Sequence, residues 1–492
     1  MIDFKKLKIS DFARLLDDGK ITSVSLCEYF LNRIDVLDKK LNAYIYINRN
    51  DVIEQAKQSD RRRKEDKILS KYDGIPISIK DIITYKDHLC TCGSKILSNY
   101  IASFDATVVR RFKDSGIIIL GKNNMDEFGI GSCGTLSSYG KVANPWNIEK
   151  IIGGSSSGSA AAVSSFETIA SLGTDTGGSV RFPAALGGIV GFRPTYGTIS
   201  RYGVVSHSSF LDQIGILSRC VDDVSVIFDI ISGEDTKDGT SISNEYLNKK
   251  YLEYGTLSDK KDLKDIKIGI IKEFDNLDGL DIDVKKTYCN AIDIMKESNA
   301  EIIEISVPHV MYSSAAYYVL SSVDITTNLA RFDGVRYGVK PNEYTNINDF
   351  YSKVRGMNFG REVLKRILLG SYILYNKYDT YLRAKKLCLL LAKELKDVFK
   401  KCDVILTPIS SQFPAKLDGN LDIFPGYLDD VFATMVNMSG NCGITLPIEI
   451  NEKYNLPMGI QLVGPFLSDK KLLSISKIFE NNRKIKEIIC TI

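Results

Sequence analysis

Two glycine- and serine-rich tracts are the segments of this sequence best suited to chemistry. Residues 153–159 read GGSSSGS and lead into the apolar run AAAV, and residues 173–181 read GTDTGGSVR. Each tract joins a turn to a predicted helix start, where free backbone N–H groups can hold a phosphate or the oxyanion of a tetrahedral intermediate. The tracts therefore allow a nucleophilic serine beside an oxyanion site, although such tracts are also common as loops without chemistry.

Two other interpretations of these tracts fit the residues less well. Neither tract has the Gly-Lys-Ser/Thr ending of a P-loop or the GxGxxG spacing of a dinucleotide site. Residues 154–158 satisfy GxSxG, which would make Ser156 the nucleophile of an α/β-hydrolase. That fold needs a strand before the serine and a later histidine. Residues 145–147 are a poor strand signal, and only His207 and His309 follow.

A lysine upstream of both tracts can supply the base. Residues 75–81 read IPISIKD, an alternating run that predicts a strand with three isoleucines on one face and Ser78 and Lys80 on the other. A serine hydroxyl is a weak nucleophile that needs an adjacent base, and lysine can fill that role. To accept a proton near pH 7, the pKa of Lys80 must fall about 3 units from ~10.4, which burial can achieve. Asp81 should point to the opposite face and leave this shift intact.

The elements that must position these residues alternate between helix and strand along the chain. Helical patterns cover residues 8–37, with a break at Gly19, and residues 50–69. Alternation of helical and strand-like segments favours an α/β architecture built on a largely internal sheet. Further strand-like runs lie at residues 117–120, 168–172, 266–271, 404–407, 444–450 and 458–463.

Chain length and local composition suggest the domain organisation. At 492 residues the chain exceeds the size at which single cores usually stop growing. We expect residues 1–70 to form an N-terminal helical arm packed on the core, and residues 71–492 to form the main domain. Within that domain, residues 235–265 predict a charged connection and residues 280–400 a mostly helical flanking segment.

The composition argues against several other classes of function. Lysine and arginine total 64 and aspartate and glutamate 61. The net charge of +3 is too small to indicate autonomous nucleic-acid binding. The ten cysteines form no CxxC pair and only three histidines are present, so we expect reduced thiols and no metal site. No apolar run approaches the roughly 18 residues of a transmembrane helix, and the N-terminus does not resemble a targeting peptide. We therefore expect no membrane contact and a cytoplasmic location.

The motifs together resemble a known family. GGSSSGSAAA combined with GTDTGGSVRFPA resembles the amidase signature, and GIPISIKD resembles that family's lysine strand. The resemblance implies an α/β amidase-signature fold, with a large mixed central sheet covered by helices on both faces. It also implies a catalytic lysine at Lys80, a bridging serine at Ser155 and a nucleophile at Ser179, with a cis peptide bond from Gly154 to Ser155.

The family mechanism implies a role for each of these residues and for their neighbours. Neutral Lys80 would take a proton from Ser155, which would take one from Ser179, so that Ser179 attacks the amide carbonyl and forms an acyl-enzyme. The backbone N–H groups of the three residues before the nucleophile would form the oxyanion hole. These residues are Thr176, Gly177 and Gly178.

Outside the motifs, the chain is similar over nearly its whole length to the A subunits of glutamyl-tRNA(Gln) and aspartyl-tRNA(Asn) amidotransferases. The similarity implies hydrolysis of glutamine to release ammonia. It is carried by residues 121–128, 200–215, 233–241, 328–338 and 362–372.

This second resemblance also implies how glutamine is bound. Tyr317, Arg366 and Asp430 match the family's glutamine-binding tyrosine, arginine and aspartate, with Tyr318 as an adjacent alternative to Tyr317. The residue types suit a free amino acid, which offers an α-ammonium to a carboxylate and an α-carboxylate to a guanidinium.

A complex with two further subunits is implied as well. An amidotransferase B subunit would use ATP and Mg to activate the Glu or Asp side chain of a misacylated tRNA and would receive the ammonia, while a small C subunit would clamp the pair. This chain would then need no cofactor of its own and would contact tRNA mainly through the complex. Whether the product is Gln-tRNA, Asn-tRNA or both would depend on the partners.

Three departures from the pattern of these A subunits lie near the predicted site. Phe182 stands where glutamine is typical, Ser157 replaces a common glycine, and residues 132–136 differ from the usual run. Because phenylalanine is more usual at position 182 in other amidases, a stand-alone amidase for a small or hydrophobic amide is the alternative function.

Overall fold

Helices and strands alternate along the chain, as the sequence pattern predicts. The computed structural model describes residues 3–257, 260–275, 277–419, 427–483 and 490. Within these ranges the α-helices are α1 Ile9–Asp17, α2 Ser23–Leu41, α3 Arg49–Lys64, α4 Thr107–Asp114, α5 Ser157–Ser164, α6 Arg181–Gly187, α7 Val221–Ile231, α8 Asn244–Tyr254, α9 Ile282–Glu297, α10 Ser313–Leu329, α11 Ile347–Asn358, α12 Arg361–Asn376, α13 Tyr378–Val398, α14 Tyr427–Ser439 and α15 Asp469–Asn482.

The strands form one large sheet and one small one. They are β1 Tyr44–Tyr46, β2 Pro76–Lys80, β3 Ile118–Asn123, β4 Ala143–Asn144, β5 Asn147–Ile151, β6 Ala170–Thr174, β7 Val190–Arg193, β8 Ile214–Ser218, β9 Lys267–Ile271, β10 Glu301–Ile305, β11 Val404–Pro408, β12 Cys442–Asn451 and β13 Leu456–Gly464. The large sheet has 11 strands in the order β1-β3-β2-β6-β8-β7-β12-β13-β11-β9-β10, and β4 pairs with β5 separately.

The large sheet is mixed. Strand β2 is parallel to both β3 and β6, and β9 is parallel to both β10 and β11, whereas the pairs between β6 and β13 are antiparallel. Every residue of β2, β6, β8 and β11 is buried. Strands buried throughout their length belong to a sheet covered on both faces, so the expected α/β class with a large mixed central sheet is confirmed.

The register between β2 and β6 brings two parts of the predicted site together. Ser78 pairs with Ser171 and Ile79 with Leu172, in parallel. The carboxyl ends of parallel strands meet at one edge of a sheet, so Lys80, at the end of β2, lies beside Thr174, at the end of β6. The two glycine- and serine-rich tracts begin near this edge.

The N-terminal segment is more than a helical arm. Residues 1–70 contribute α1, α2 and α3, as predicted, but also β1, which pairs with β3 at the edge of the large sheet. Phe12 and Phe30 are fully buried in the same hydrophobic cluster as strands β2 and β3. A three-residue strand is too short to show a period of two, so the sequence pattern missed it.

The segments predicted downstream have more structure than expected. The charged connection at 235–265 contains α8, and the flanking segment at 280–400 contains β10 in addition to helices α9 to α13. A second hydrophobic cluster packs α10, α13 and α14 against the β9–β11 end of the sheet. No helix among the described residues is long and apolar enough to cross a membrane.

Candidate active site

Lys80 is the centre of a small cluster of hydroxyl groups. Its side chain is fully buried, and its Nζ lies 2.8 Å from Ser155 Oγ, 3.0 Å from Ser156 Oγ and 2.9 Å from Thr174 Oγ1. The strand β2 aims Lys80 at the first serine-rich tract, on the face that the alternating pattern predicts. Asp81 points elsewhere, as expected, and its carboxylate accepts a hydrogen bond from the Thr91 N–H at 2.9 Å.

Burial changes the protonation of this lysine. Removal from water lowers the pKa of Lys80 to about 7, even though the carboxylates of Asp126, Asp212 and Asp175 oppose the shift. The fall is as large as a base that works near pH 7 requires. A lysine with this pKa is neutral in a substantial fraction of molecules at pH 7, so its amine can accept a proton.

The first tract holds Ser155 in place through its backbone. The Gly154–Ser155 peptide bond is cis, as the resemblance implies. The Asp126 N–H donates to the Ser155 carbonyl at 3.2 Å, and the Ser156 N–H donates to the Ser179 carbonyl at 3.1 Å. The second of these bonds joins the two tracts, because it links the residue after the predicted relay to the backbone of the predicted nucleophile.

Ser156, the nucleophile of the GxSxG interpretation, has a structural role. Its hydroxyl is fully buried and donates to the Thr174 carbonyl at 3.1 Å. A strand, β5, does precede it, contrary to the sequence interpretation, but β5 lies in the two-stranded sheet. Of the two later histidines, His207 contacts Gly129 and His309 contacts Glu394, so neither pairs with Ser156. The α/β-hydrolase arrangement is therefore absent from these residues.

A buried carboxylate organises the second tract. Asp175 accepts hydrogen bonds from the Gly178 N–H at 2.9 Å and the Val180 N–H at 3.2 Å, and it pairs with Arg181 at 3.0 Å. Burial alone would raise the pKa of Asp175, but the guanidinium groups of Arg181 and Arg193 hold it well below its usual range. This charged cluster fixes the turn that presents Ser179, and no local sequence pattern signals it.

One backbone N–H of the predicted oxyanion hole already has an acceptor within the chain. The Gly178 N–H is committed to Asp175, so a developing oxyanion would have to compete with a carboxylate for it. Within the described part of the chain, the backbone N–H groups of Thr176, Gly177 and Ser179 have no acceptor. These three groups are the open donors of the turn.

The three predicted glutamine-binding residues come from adjacent helices. Helix α10 carries Tyr317, α12 carries Arg366 and α14 carries Asp430, and α10 packs against both of the other helices. Tyr317 lies directly on the second tract, since a β-carbon built on Gly177 would be 2.6 Å from Tyr317 Cζ. The structure thus places Tyr317 on the tract that carries Ser179, with the helices of Arg366 and Asp430 packed against its own helix.

The charged groups of this helical cluster perturb one another. The Arg366 guanidinium lies over the Tyr318 ring, 4.1 Å from its centroid, and the Arg366 Nε donates to Glu362 at 2.8 Å. Burial and the neighbouring Asp429 raise the pKa of Asp430 to about 7, while Arg366 opposes the shift. Burial and Asp430 also raise the pKa of Tyr318 to about 12. Arg366 and Asp430 shift the pKa of both tyrosines, so both lie near these two charged groups. The choice between Tyr317 and Tyr318 therefore stays open.

Residues that depart from the expected family pattern line the first tract. The Phe182 ring lies against Gly153, where a β-carbon would be 3.0 Å from it. Ser157 is buried beside Gly134, which belongs to the unusual 132–136 run. The Gly134 N–H donates to Asp126 at 3.0 Å. The 132–136 run and Ser157 therefore lie on the side of Asp126, whereas Phe182 lies against Gly153.

No group of three or more His, Cys, Asp or Glu side chains that could hold a metal ion occurs among the described residues. The site brings together a buried amine, serine hydroxyls and a turn with backbone N–H donors. These are the groups that a serine nucleophile with a lysine base requires.

Comparisons with known proteins identify the family. The family model Amidase matches residues 25–473. The A subunit of the glutamyl-tRNA(Gln) amidotransferase of Fusobacterium nucleatum is 39% identical over 94% of this chain and 93% of its own length. The crystal structure of the corresponding Thermotoga maritima protein is 32% identical, with a TM-score of 0.80 over 98% of this chain and 96% of that one. The chain belongs to the amidase family, alongside these amidotransferase A subunits.

A more distant structure shares the fold. The native peptide amidase of Stenotrophomonas maltophilia superimposes with a TM-score of 0.79 at 24% identity, over 97% of each chain. At that identity the match supports a common fold and nothing more.

Proposed function

We propose that the protein is the glutaminase subunit of a tRNA-dependent amidotransferase and hydrolyses glutamine to glutamate and ammonia. The observation that carries the proposal is the buried Lys80 amine, 2.8 Å from Ser155 Oγ, in a chain that matches amidotransferase A subunits over nearly its full length. The lysine cluster supports amide hydrolysis, and the relatives support glutamine as the amide.

The lysine cluster and the two tracts support the following steps for acylation. Neutral Lys80 accepts the Ser155 hydroxyl proton, Ser155 accepts the Ser179 proton, and the Ser179 oxygen attacks the carboxamide carbon. As the tetrahedral intermediate collapses, the carbon–nitrogen bond breaks and the relay returns a proton to the leaving nitrogen, which departs as ammonia. Water then cleaves the resulting ester by the same relay, releasing glutamate and free Ser179.

The oxyanion of each tetrahedral intermediate is stabilised by the second tract. The open N–H groups of Thr176, Gly177 and Ser179 are its donors, each worth on the order of 3 kcal/mol in comparable sites. Of the family's three predicted donors, Gly178 instead keeps its N–H on Asp175, where it supports the turn.

Glutamine is held by the helical cluster over this tract. Arg366 binds the α-carboxylate, and Asp430, with Tyr317 or Tyr318, binds the α-ammonium. The raised pKa of Asp430 follows from its burial, and an ammonium beside the carboxylate would favour the ionised form.

The ammonia is passed to partner proteins. The relatives are named as the A subunits of an amidotransferase, which points to a complex of several chains. We propose a B subunit that uses ATP and Mg to activate the acyl group of misacylated tRNA, and a C subunit that clamps this chain to the B subunit, in the cytoplasm. This chain then needs no cofactor of its own.

The stand-alone amidase is the weaker alternative. Phe182 favours it, because its aromatic ring lies against Gly153 and adds apolar surface near the relay serine. The Fusobacterium nucleatum amidotransferase relative is 39% identical to this chain, however, while the peptide amidase matches at 24%.

The test is ammonia release from glutamine, measured for this chain alone and with B and C partners, charged tRNA and ATP. We expect glutaminase activity in wild type and none in Lys80→Ala, whose fold should survive the loss of one side chain. Full activity of Lys80→Ala would remove the lysine from the mechanism. Cleavage of another amide with glutamine untouched would establish the alternative.

A further inference from the structure

Glu127 is a buried carboxylate that the mechanism above does not use. The residue is only 2% exposed. It follows Asp126, whose backbone N–H donates to the Ser155 carbonyl at 3.2 Å. A single peptide unit therefore separates Glu127 from a residue that contacts the backbone of the relay serine.

Both carboxylate oxygens of Glu127 are bonded to distant segments. Oε1 accepts a hydrogen bond from the Ser94 hydroxyl, 33 residues earlier in the chain. Oε2 accepts one from the Gly360 N–H at 2.7 Å, 233 residues later. A β-carbon built on Gly360 would collide with Oε2, so the carboxylate lies directly against this glycine. Glu127 thus joins the segment beside the relay serine to the beginning of α12.

Helix α12 lacks a capping group of its own at this end. Its N-cap residue is Gly360, which has no side chain to bond the first turn. In a capping box, a Glu or Gln at the third helical position bonds the N–H of the N-cap residue. That position is Val363 in α12, and Glu362 instead accepts a hydrogen bond from Arg366 at 2.8 Å. Glu127 supplies the missing bond from another part of the chain, and its negative charge suits a helix N-terminus.

The next residue, Phe128, contacts the same end of α12. Its ring is fully buried and lies edge-on to Phe359, the residue before Gly360, with 5.8 Å between the ring centroids. It also packs against Phe332, at 5.0 Å. Two consecutive side chains, one charged and one apolar, therefore fix the beginning of α12 relative to the reaction centre.

The position of α12 determines the position of Arg366. This arginine lies less than two helical turns after Gly360, about 9 Å along the helix axis. A helix is stiff over this length, so a shift of its first turn also shifts the guanidinium. The loss of the Glu127 bond should therefore change the distance between Arg366 and Ser179.

We propose that Glu127 is a positioning residue for substrate selection. It holds α12 where Arg366 can bind the α-carboxylate of a substrate whose carboxamide lies at Ser179. Glu127 contacts neither group of the substrate and acts only through Arg366. The inference rests on the proposed function, because it needs Arg366 to bind a carboxylate.

The first test is steady-state kinetics of Glu127→Ala with glutamine. We expect the KM to rise about five- to tenfold and kcat to stay within about twofold of wild type. Labelling of Ser179 by a small reactive amide without a carboxylate should be unchanged. Glu127→Gln keeps an oxygen that can accept from the Gly360 N–H, so its KM should stay within about twofold of wild type.

A second variant and a matched control separate this role from a general loss of stability. Gly360→Ala, at a φ of −69° that alanine adopts readily, breaks the same contact from the helix side and should also raise the KM. It provides the test if Glu127→Ala does not fold. Asp223 is a buried carboxylate that accepts a hydrogen bond from the Ile9 N–H, at the beginning of α1, at 2.8 Å. Asp223→Ala should lower thermal stability and leave the glutamine KM unchanged.

A double-mutant cycle identifies the route of the effect. Because Glu127 acts through Arg366, the KM of Glu127→Ala/Arg366→Ala should match that of Arg366→Ala within about twofold. Independent effects that multiply, an unchanged KM in folded Glu127→Ala, or equal losses on glutamine and the small amide would overturn the proposal. If wild type releases no ammonia from glutamine, the proposed function fails. The same cycle on an amide that the protein does cleave then decides whether Glu127 positions Arg366.

Discussion

The protonation state of Lys80 sets the pH range in which the site can work. Only the neutral amine has a lone pair, and the pKa of Lys80 is about 7, so the active fraction grows as pH rises through 7. We expect kcat/KM for glutamine to rise about tenfold per pH unit below 7 and to level off above it. Initial ammonia-release rates between pH 5.5 and 8.5 provide the measurement. A rate that stays flat or falls over this range would contradict a lysine base.

Arg366 should act on binding rather than on the reaction of Ser179. Losing a buried, charge-assisted contact to the α-carboxylate is worth about 1.5–3 kcal/mol, so Arg366→Ala should raise the KM for glutamine about 10- to 100-fold. Labelling of Ser179 by a small reactive amide without a carboxylate should be unchanged. Arg361→Ala, on an exposed position of the same helix, is the matched control. Unaltered glutamine kinetics in Arg366→Ala would exclude this arginine from the site.

The contact between the second tract and α10 requires a glycine at position 177. A β-carbon there would lie 2.6–2.8 Å from three atoms of the Tyr317 side chain, so Gly177→Ala must push α10 or the turn aside. We expect both the rate of Ser179 acylation and glutamine affinity to fall together, by about tenfold or more, because one displacement disturbs both elements.

Gly356→Ala on α11 serves as the comparison for Gly177→Ala. Nothing lies within 4 Å of its added methyl group, and alanine favours a helix by about 1 kcal/mol over glycine. Glutamine kinetics and thermal unfolding of the two variants should therefore differ sharply. A Gly177→Ala enzyme with wild-type kcat and KM would show that the turn and α10 do not need this close contact.

The sequence predicts elements well where a motif or a period is local. Lys80 lies on a five-residue alternating strand, and the glycines of the two serine tracts identify both tracts in the sequence. Strands β7 and β8 escape prediction because each is a short apolar run flanked by residues that suit helix or turn equally. The Thr174 hydroxyl joins Lys80 only through the pairing of β2 with β6, and such pairing between distant segments is not encoded in local spacing.

The same limit applies to the site. The family resemblance implies the lysine and both serines. It does not predict that the Asp175 carboxylate accepts a hydrogen bond from the Gly178 N–H, because this bond forms only in the folded turn.

At the scale of the whole molecule, the N-terminal segment packs against the main sheet and adds a strand to its edge. Residues 71–492 alone would expose the β3 edge that β1 covers and the core surface that Phe12 and Phe30 fill. We expect this fragment to aggregate or remain unfolded, as judged by size-exclusion chromatography and circular dichroism, and to be rescued by co-expression of residues 1–70. A monomeric fragment with native-like unfolding would show instead that the arm is a separate appendage.

The hydroxyl of Ser156 gives the lysine cluster a direction. Its hydrogen is donated to the Thr174 carbonyl, so toward Lys80 it can only accept. A neutral amine has two hydrogens and one lone pair; with one hydrogen on Ser156 and the other on Thr174, the lone pair is left facing Ser155. In the proposed mechanism, Ser156 and Thr174 therefore orient the amine so that Lys80 takes the proton from Ser155 and returns it to Ser155.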